Sequence, residues 1–271
     1  MDLTGQQIIA ALSSITVETL TPIEAMNELY KLKRMLDEIM IKSRSNSPCP
    51  SGLETVAGLC YLAFQMLLLP PFLYWINGQL SPSLSDPELN FIYYIVNFIA
   101  VLLIFRNFLD RSLSQLLHHP IDALQAAILG FVAYYICFYA LDWFISLLIP
   151  GYTNYNDESI AALSRGNYFL TFIGTVILVP LAEECFYRGV IFRNLYKKSH
   201  WAAYCISIAA FACIHILGYI GQYSPKELII AMIQYIPAGL WLAWSYVKGD
   251  TIFVPVIIHS AVNFITIRGI L

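Results

Sequence analysis

From Leu53 onward the chain alternates between long apolar runs and short polar interruptions. The runs fall at about 53–76, 90–109, 121–149, 167–195, 201–220, 227–247 and 251–268. Each is close to the ~20 residues that an α-helix needs to cross the hydrocarbon core of a bilayer. Lipid offers no partner to an unpaired backbone N–H or C=O, so runs of this kind are helices. The pattern therefore predicts an all-α fold, a polytopic transmembrane helical bundle of about seven helices, over residues 49–271. Residues 1–48 form a different kind of segment, a short helical appendage with far less continuous apolar character.

In that appendage Thr21-Pro22-Ile23-Glu24 has the form of a helix start, with Thr as N-cap, Pro at the first helical position and Glu three residues after the cap. The helix that follows places Ala25, Leu29, Leu32, Leu36 and Ile39 at alternating gaps of four and three. Such spacing makes a narrow apolar seam, suited to packing back on its own hairpin or to self-association through residues 22–41. Ser43-Arg44-Ser45-Asn46-Ser47-Pro48 reads as a linker.

Composition narrows the class. The chain is 58% hydrophobic and 12% charged, against ~25% charged residues in soluble domains. A net charge of −3 gives no basis for nucleic-acid binding. The six cysteines show no CxxC spacing, so neither a zinc knuckle nor a disulfide framework is expected. Residues 1–20 lack a basic stretch followed by an apolar one, so no cleaved signal peptide is expected. Under strict alternation of the seven segments, twelve basic residues fall on one side: Lys31, Lys33, Arg34, Lys42, Arg44, Arg106, Arg111, Arg188, Arg193, Lys197, Lys198 and Lys248. Only Arg165, Lys226 and Arg268 fall on the other. The excess marks the cytoplasmic face, so the N-terminus is expected in the cytoplasm and the C-terminus outside. With no eukaryotic retention signal in the sequence, a prokaryotic plasma membrane is favoured over an endoplasmic reticulum.

The chemistry-bearing groups lie in the last third. Glu183 and Glu184 close the apolar run from Tyr168 to Ala182, where carboxylates are expensive to keep. On a helix they point about 100° apart and cannot share one role. Glu184 and Arg188 are four apart on one face and can pair, which leaves Glu183 free on the side of Tyr187. His215 ends its own apolar run, and His259 and Asn263 project together from the last segment. A carboxylate and an imidazole can hold and deprotonate water, while an imidazole and an amide can receive the charge on an attacked carbonyl. Taken singly, each His or Asn is as well explained as a hydrogen bond between helices. Five ionisable groups and an amide on three segments favour a membrane-embedded hydrolase. Counting at ~1.5 Å per residue puts His215 about 21 Å into its segment from Trp201. It meets Glu183 only if the fourth helix extends to about Tyr196 or the fifth enters obliquely.

Glu183-Glu184-x-x-x-Arg188, Phe211-x-x-x-His215 and His259-x-x-x-Asn263 together resemble the signature set of the CPBP (Abi) intramembrane proteases, which include the type II CAAX prenyl endopeptidases. The likeness covers roughly residues 165–268, with Phe186-Tyr187-Arg188-Gly189 fitting the aromatic context of the first motif. It implies a helical bundle with a polar cavity opening toward the cytoplasm, Glu183 and His215 activating water, and His259 and Asn263 forming an oxyanion hole. Glu184 and Arg188 support the site. The implied substrate is a membrane-associated peptide or lipidated protein, in some members a prenylated CAAX protein. Others serve in bacteriocin immunity, peptide maturation or secretion. No cofactor is expected; a zinc ion held by Glu183, His215 and His259 is the less favoured alternative, since no HExxH helix is present. Residues Leu20 to Tyr30 also resemble the C-terminal helical tail of the mismatch-repair protein MutS, an oligomerisation element there, which adds weight to self-association.

Two other classes compete. A non-enzymatic membrane scaffold or immunity protein would work through the N-terminal seam. A proton-coupled transporter would use buried Glu and His as a relay, but it would be expected to carry an internal repeat, and none is evident.

Overall fold

The computed structural model describes residues 9–15, 20–45 and 47–269, apart from the side chains of residues 36–45. They divide into two compact units, Met1–Ser47 and Pro48–Leu271. The described part of the first unit is dominated by α1 (Pro22–Ser45). Its start is a capping box: the Thr21 N–H donates to Glu24 Oε2 at 2.8 Å and the Glu24 N–H to Thr21 Oγ1 at 3.4 Å. Within the predicted seam Leu29 is exposed; the side chains of Leu36 and Ile39 lie outside the described residues.

The second unit is helical throughout, with no strand among the described residues. Its helices are α2 (Gly52–Leu67), α3 (Leu69–Asn77), α4 (Asp86–Ile104), α5 (Arg106–His118), α6 (Pro120–Leu148), α7 (Tyr155–Gly166), α8 (Tyr168–Tyr196), α9 (His200–Leu217), α10 (Pro225–Gln234), α11 (Ile236–Gly249) and α12 (Phe253–Gly269). Serine and glutamate three residues apart open several of them. Ser51/Glu54, Ser85/Glu88 and Ser224/Glu227 each form a capping box ahead of α2, α4 and α10. Glu54 does a second job from a buried position, its Oε1 accepting the Phe108 N–H at 2.8 Å and so capping the start of α5.

Among the described residues five helices are long and apolar enough to cross a membrane: α4, α6, α8, α9 and the α10–α11 pair. The segment expected at 53–76 is instead broken at Leu68, with α2 and α3 meeting at 44°, and counts as a sixth span only if the bent pair is taken as one. Pro70 and Pro71 at the start of α3 explain the break, because they cannot continue the hydrogen bonding of α2. The expected seventh segment is α12, an apolar helix of 17 residues. The bundle is thus all-α and polytopic with five or six full spans. Large apolar side chains along α6, among them Leu124, Ile128 and Leu147, remain exposed, as a lipid-facing surface requires.

Two close approaches set the packing of the bundle. A Cβ on Gly174 would come within 2.4 Å of the Tyr94 ring, and one on Gly130 within 2.9 Å of Ile258 and 3.0 Å of Ser245. Small residues at these points let α4 lie against α8, and α6 against α11 and α12.

Candidate active site

The fourth apolar segment is one 29-residue helix, α8, that runs to Tyr196 and carries Glu183 at its midpoint. It is not a regular α-helix. Ile173–Leu178 and Cys185–Phe192 are π-helical and bracket the two glutamates. Pro180 supplies part of the reason. Its ring would clash with the carbonyl four residues back in an α-helix, and the wider turn relieves that. The widening frees a backbone group. The Val179 N–H donates to Gly174, and Pro180 has no N–H, so the Thr175 carbonyl gets no hydrogen from either. The Asn263 amide on α12 fills that place, its Nδ2 donating to the Thr175 oxygen at 2.8 Å. One N–H of the amide is then anchored and the other is left for the cavity.

The two adjacent glutamates take different environments. Glu184 is fully buried and pairs with Arg188, Oε2 to Nε at 3.1 Å and Oε1 to Nη1 at 3.1 Å. Arg188, also fully buried, donates from Nη2 to the Ala238 carbonyl on α11 at 3.2 Å and lies 4.2 Å from the Phe211 ring centre on α9. One side chain thereby ties three helices together. Glu184 also accepts from His259 Nδ1 at 2.9 Å, which fixes the imidazole of α12. Glu183 is 24% exposed, and its Oε2 has no hydrogen-bond partner in the protein.

Both imidazoles turn toward that oxygen. His259 Nε2 stands 3.8 Å and His215 Nε2 4.0 Å from Glu183 Oε2. His215 Nδ1 is 2.7 Å from the Phe211 carbonyl. A carbonyl only accepts, so Nδ1 carries the hydrogen and the neutral ring presents an Nε2 lone pair to Glu183. Two acceptors about 4 Å apart are reconciled by a donor between them, and a water molecule has two hydrogens to give. The ring of His215 is further held by stacking on Tyr235, centroids 4.1 Å apart.

These groups line two cavities. One of about 100 Å³ is walled by His215, His259, Asn263, Thr175, Tyr235 and Asp157, with further apolar residues. The other, of about 70 Å³, is walled by Glu183, Tyr187, Tyr93, Tyr94, Asn97 and Gln65. Each exceeds the ~10–15 Å³ that one water needs by this measure. Among the described residues no group of three or more His, Cys, Asp or Glu side chains is placed to hold a metal ion. The 3.8 and 4.0 Å separations from Glu183 to the two imidazoles exceed the ~3.3 Å edges that tetrahedral zinc with ~2.0–2.1 Å bonds would require. All six residues singled out in the sequence meet in this region. Thr175, Tyr235 and Asp157 were missed; of these only Thr175 carried a signal, the proline five residues after it.

Residues 165–265 match the family model described as Type II CAAX prenyl endopeptidase Rce1-like. Residues 5–35 match the model of the DNA mismatch repair protein MutS C-terminal region. No curated protein and no solved structure matches the chain.

Proposed function

We propose that this chain, whose residues 165–265 match the Type II CAAX prenyl endopeptidase Rce1-like model, hydrolyses a peptide bond of a membrane-associated substrate by water activated at Glu183 and His215. The observation that carries this reading is the approach of two imidazole Nε2 atoms to one unpartnered carboxylate oxygen. A water held there donates to Glu183 and His215, and its oxygen attacks the scissile carbonyl carbon. The proton released goes to the Glu183–His215 pair and is returned to the leaving amine, so no cofactor is consumed. The negative charge formed on the carbonyl oxygen is received by the free N–H of Asn263 and by His259. For His259 to donate from Nε2 both ring nitrogens must carry hydrogen, since Nδ1 is committed to Glu184. Glu184 and Arg188 act at one remove, holding that ring. We place the N-terminus in the cytoplasm, on the strength of the basic-residue excess.

The test is cleavage of a farnesylated CAAX peptide by the purified protein beside Glu183→Gln, each with and without chelator. Loss of a general base removes about 100- to 10,000-fold in rate. Cleavage that survives Glu183→Gln overturns the assignment. Loss with chelator, restored by zinc, replaces it with a metal mechanism. Cleavage of an unprenylated peptide alone moves the substrate class.

For the N-terminal unit we propose self-association through α1. The exposed Ile23, Met26, Leu29 and Tyr30 and the match of residues 5–35 support it. Leu29→Asp with Leu32→Asp should lower the mass of the detergent-solubilised particle measured by light scattering. An unchanged mass refutes the proposal.

A further inference from the structure

The cavity that holds His215, His259 and Asn263 continues to a wall that the hydrolytic step does not use. There the carboxylate of Asp157, from the first turn of α7, stands among Asn154, Gln234, Tyr134, Phe138 and Tyr235. Histidines aside, Asp157 is the only formally charged side chain among the described residues lining this cavity. No described residue gives its carboxylate a hydrogen bond or an ion pair, whereas Glu54 has Arg111 and Glu184 has Arg188. Nearby polar atoms are engaged elsewhere. Asn154 Oδ1 accepts the N–H groups of Asn156 and Asp157, at 2.9 and 3.4 Å. Asn154 Nδ2 donates to Gln234 Oε1 at 2.8 Å, and the Tyr235 hydroxyl donates to Asn154 Oδ1 at 3.3 Å. These bonds pin the turn that carries Asp157 to α10 and leave its charge uncompensated.

A half-buried carboxylate without a counter-charge is unfavourable, and burial pushes the Asp157 carboxyl up to about 6. Tyr134, Phe138 and Tyr235 add aromatic faces to the same wall, and ring faces attract cations. Tyr235 also stacks on His215, so the wall is one ring away from the proposed chemistry. We propose that this wall is a substrate subsite that binds a cation, the ammonium or guanidinium of a basic side chain or the N-terminal ammonium of the peptide being cleaved. This rests on the protease reading above. The same charge disfavours a carboxylate at this wall, so a free C-terminus is expected to lie elsewhere in the site.

The experiment uses the full chain carrying Glu183→Gln, which keeps the cavity and removes turnover. Binding is measured for short peptides in which one position at a time carries lysine or norleucine, each with a free or an acetylated N-terminus. At one position lysine should bind ~10- to 100-fold tighter than norleucine, the range expected for a charge-assisted hydrogen bond. If the cation is instead the N-terminal ammonium, acetylation causes the same loss and the lysine scan is flat. Either preference should vanish with Asp157→Asn and persist with Asp157→Glu, which also shows that the altered chain still folds. Equal binding of all peptides, or a preference that survives Asp157→Asn, overturns the subsite. A preference abolished by Asp157→Asn in a chain whose wild type cleaves none of the peptides leaves the cation site standing and removes the protease reading.

Discussion

At the scale of single residues, the site separates groups that act from groups that hold. Glu183 has an unsatisfied oxygen and partial exposure, so Glu183→Gln should abolish cleavage while leaving the thermal midpoint within a degree or two. Glu184 and Arg188 are the reverse. Breaking a buried pair by removing one partner strands the other charge and costs ~3–5 kcal/mol. Arg188→Met should therefore lower the midpoint sharply and release the Ala238 and Phe211 contacts together. Asn263→Ala removes the proposed oxyanion donor and should lower kcat about 100- to 1,000-fold with little change in KM. Asp157 sets a pH dependence. Its carboxyl titrates near 6 rather than in the usual carboxylate range, so it is neutral below that pH in the fold and charged above it. Tyr152 and Tyr219, outside the membrane-spanning helices, are raised by burial and do not ionise in this range. A raised carboxyl favours the fold at low pH, and that advantage is lost as pH rises through about 6. Asp157→Asn should thus exceed wild type in thermal midpoint by more at pH 8 than at pH 5, because the penalty builds from the unfolded carboxyl value of ~4 up to about 6. Identical midpoints at both values would show that the carboxylate is well solvated.

At the scale of elements, the departures from regular helix position the site. Gly174 lies in the first π segment of α8, against the ring of Tyr94. Gly174→Ala should force that ring aside at a cost of about 1–3 kcal/mol and disturb the cavity that Glu183 shares with it. A lowered midpoint with reduced turnover would be the result; an unaffected enzyme would mean that Tyr94 moves freely. These elements also show what could be read in advance. The split between Glu183 and Glu184 followed from a 100° turn, and the pairing of Glu184 with Arg188 from a spacing of four. The meeting of Glu183 with His215 called for an α8 reaching Tyr196 or an oblique α9, and α8 does reach Tyr196. The break at Leu68 was marked by two prolines but hidden inside an apolar run. The π segments could not be read, because they depend on how neighbours accept the extra width. Asp157 was invisible for a similar reason: its sequence context is that of any polar loop, and only the packing of α7 places it in a cavity.

At the scale of the molecule, the two units obey different rules. Unit Pro48–Leu271 has the apolar exterior of a membrane protein, while α1 is a 24-residue helix of mostly polar sequence. The ion pair inside α8 has a further consequence, for how the chain enters a bilayer. An Arg or Asp at the centre of an inserting helix is disfavoured by ~2.5–3.5 kcal/mol on insertion scales, and α8 carries two glutamates and an arginine near its middle. Because Glu184 and Arg188 sit on the same helix one turn apart, α8 brings its own counter-ion and need not wait for a neighbour to neutralise it. In a translocon assay the isolated segment Tyr168–Tyr196 should insert better than its Glu184→Ala form, which carries a stranded guanidinium. An assembly requirement is thereby met before the rest of the fold exists.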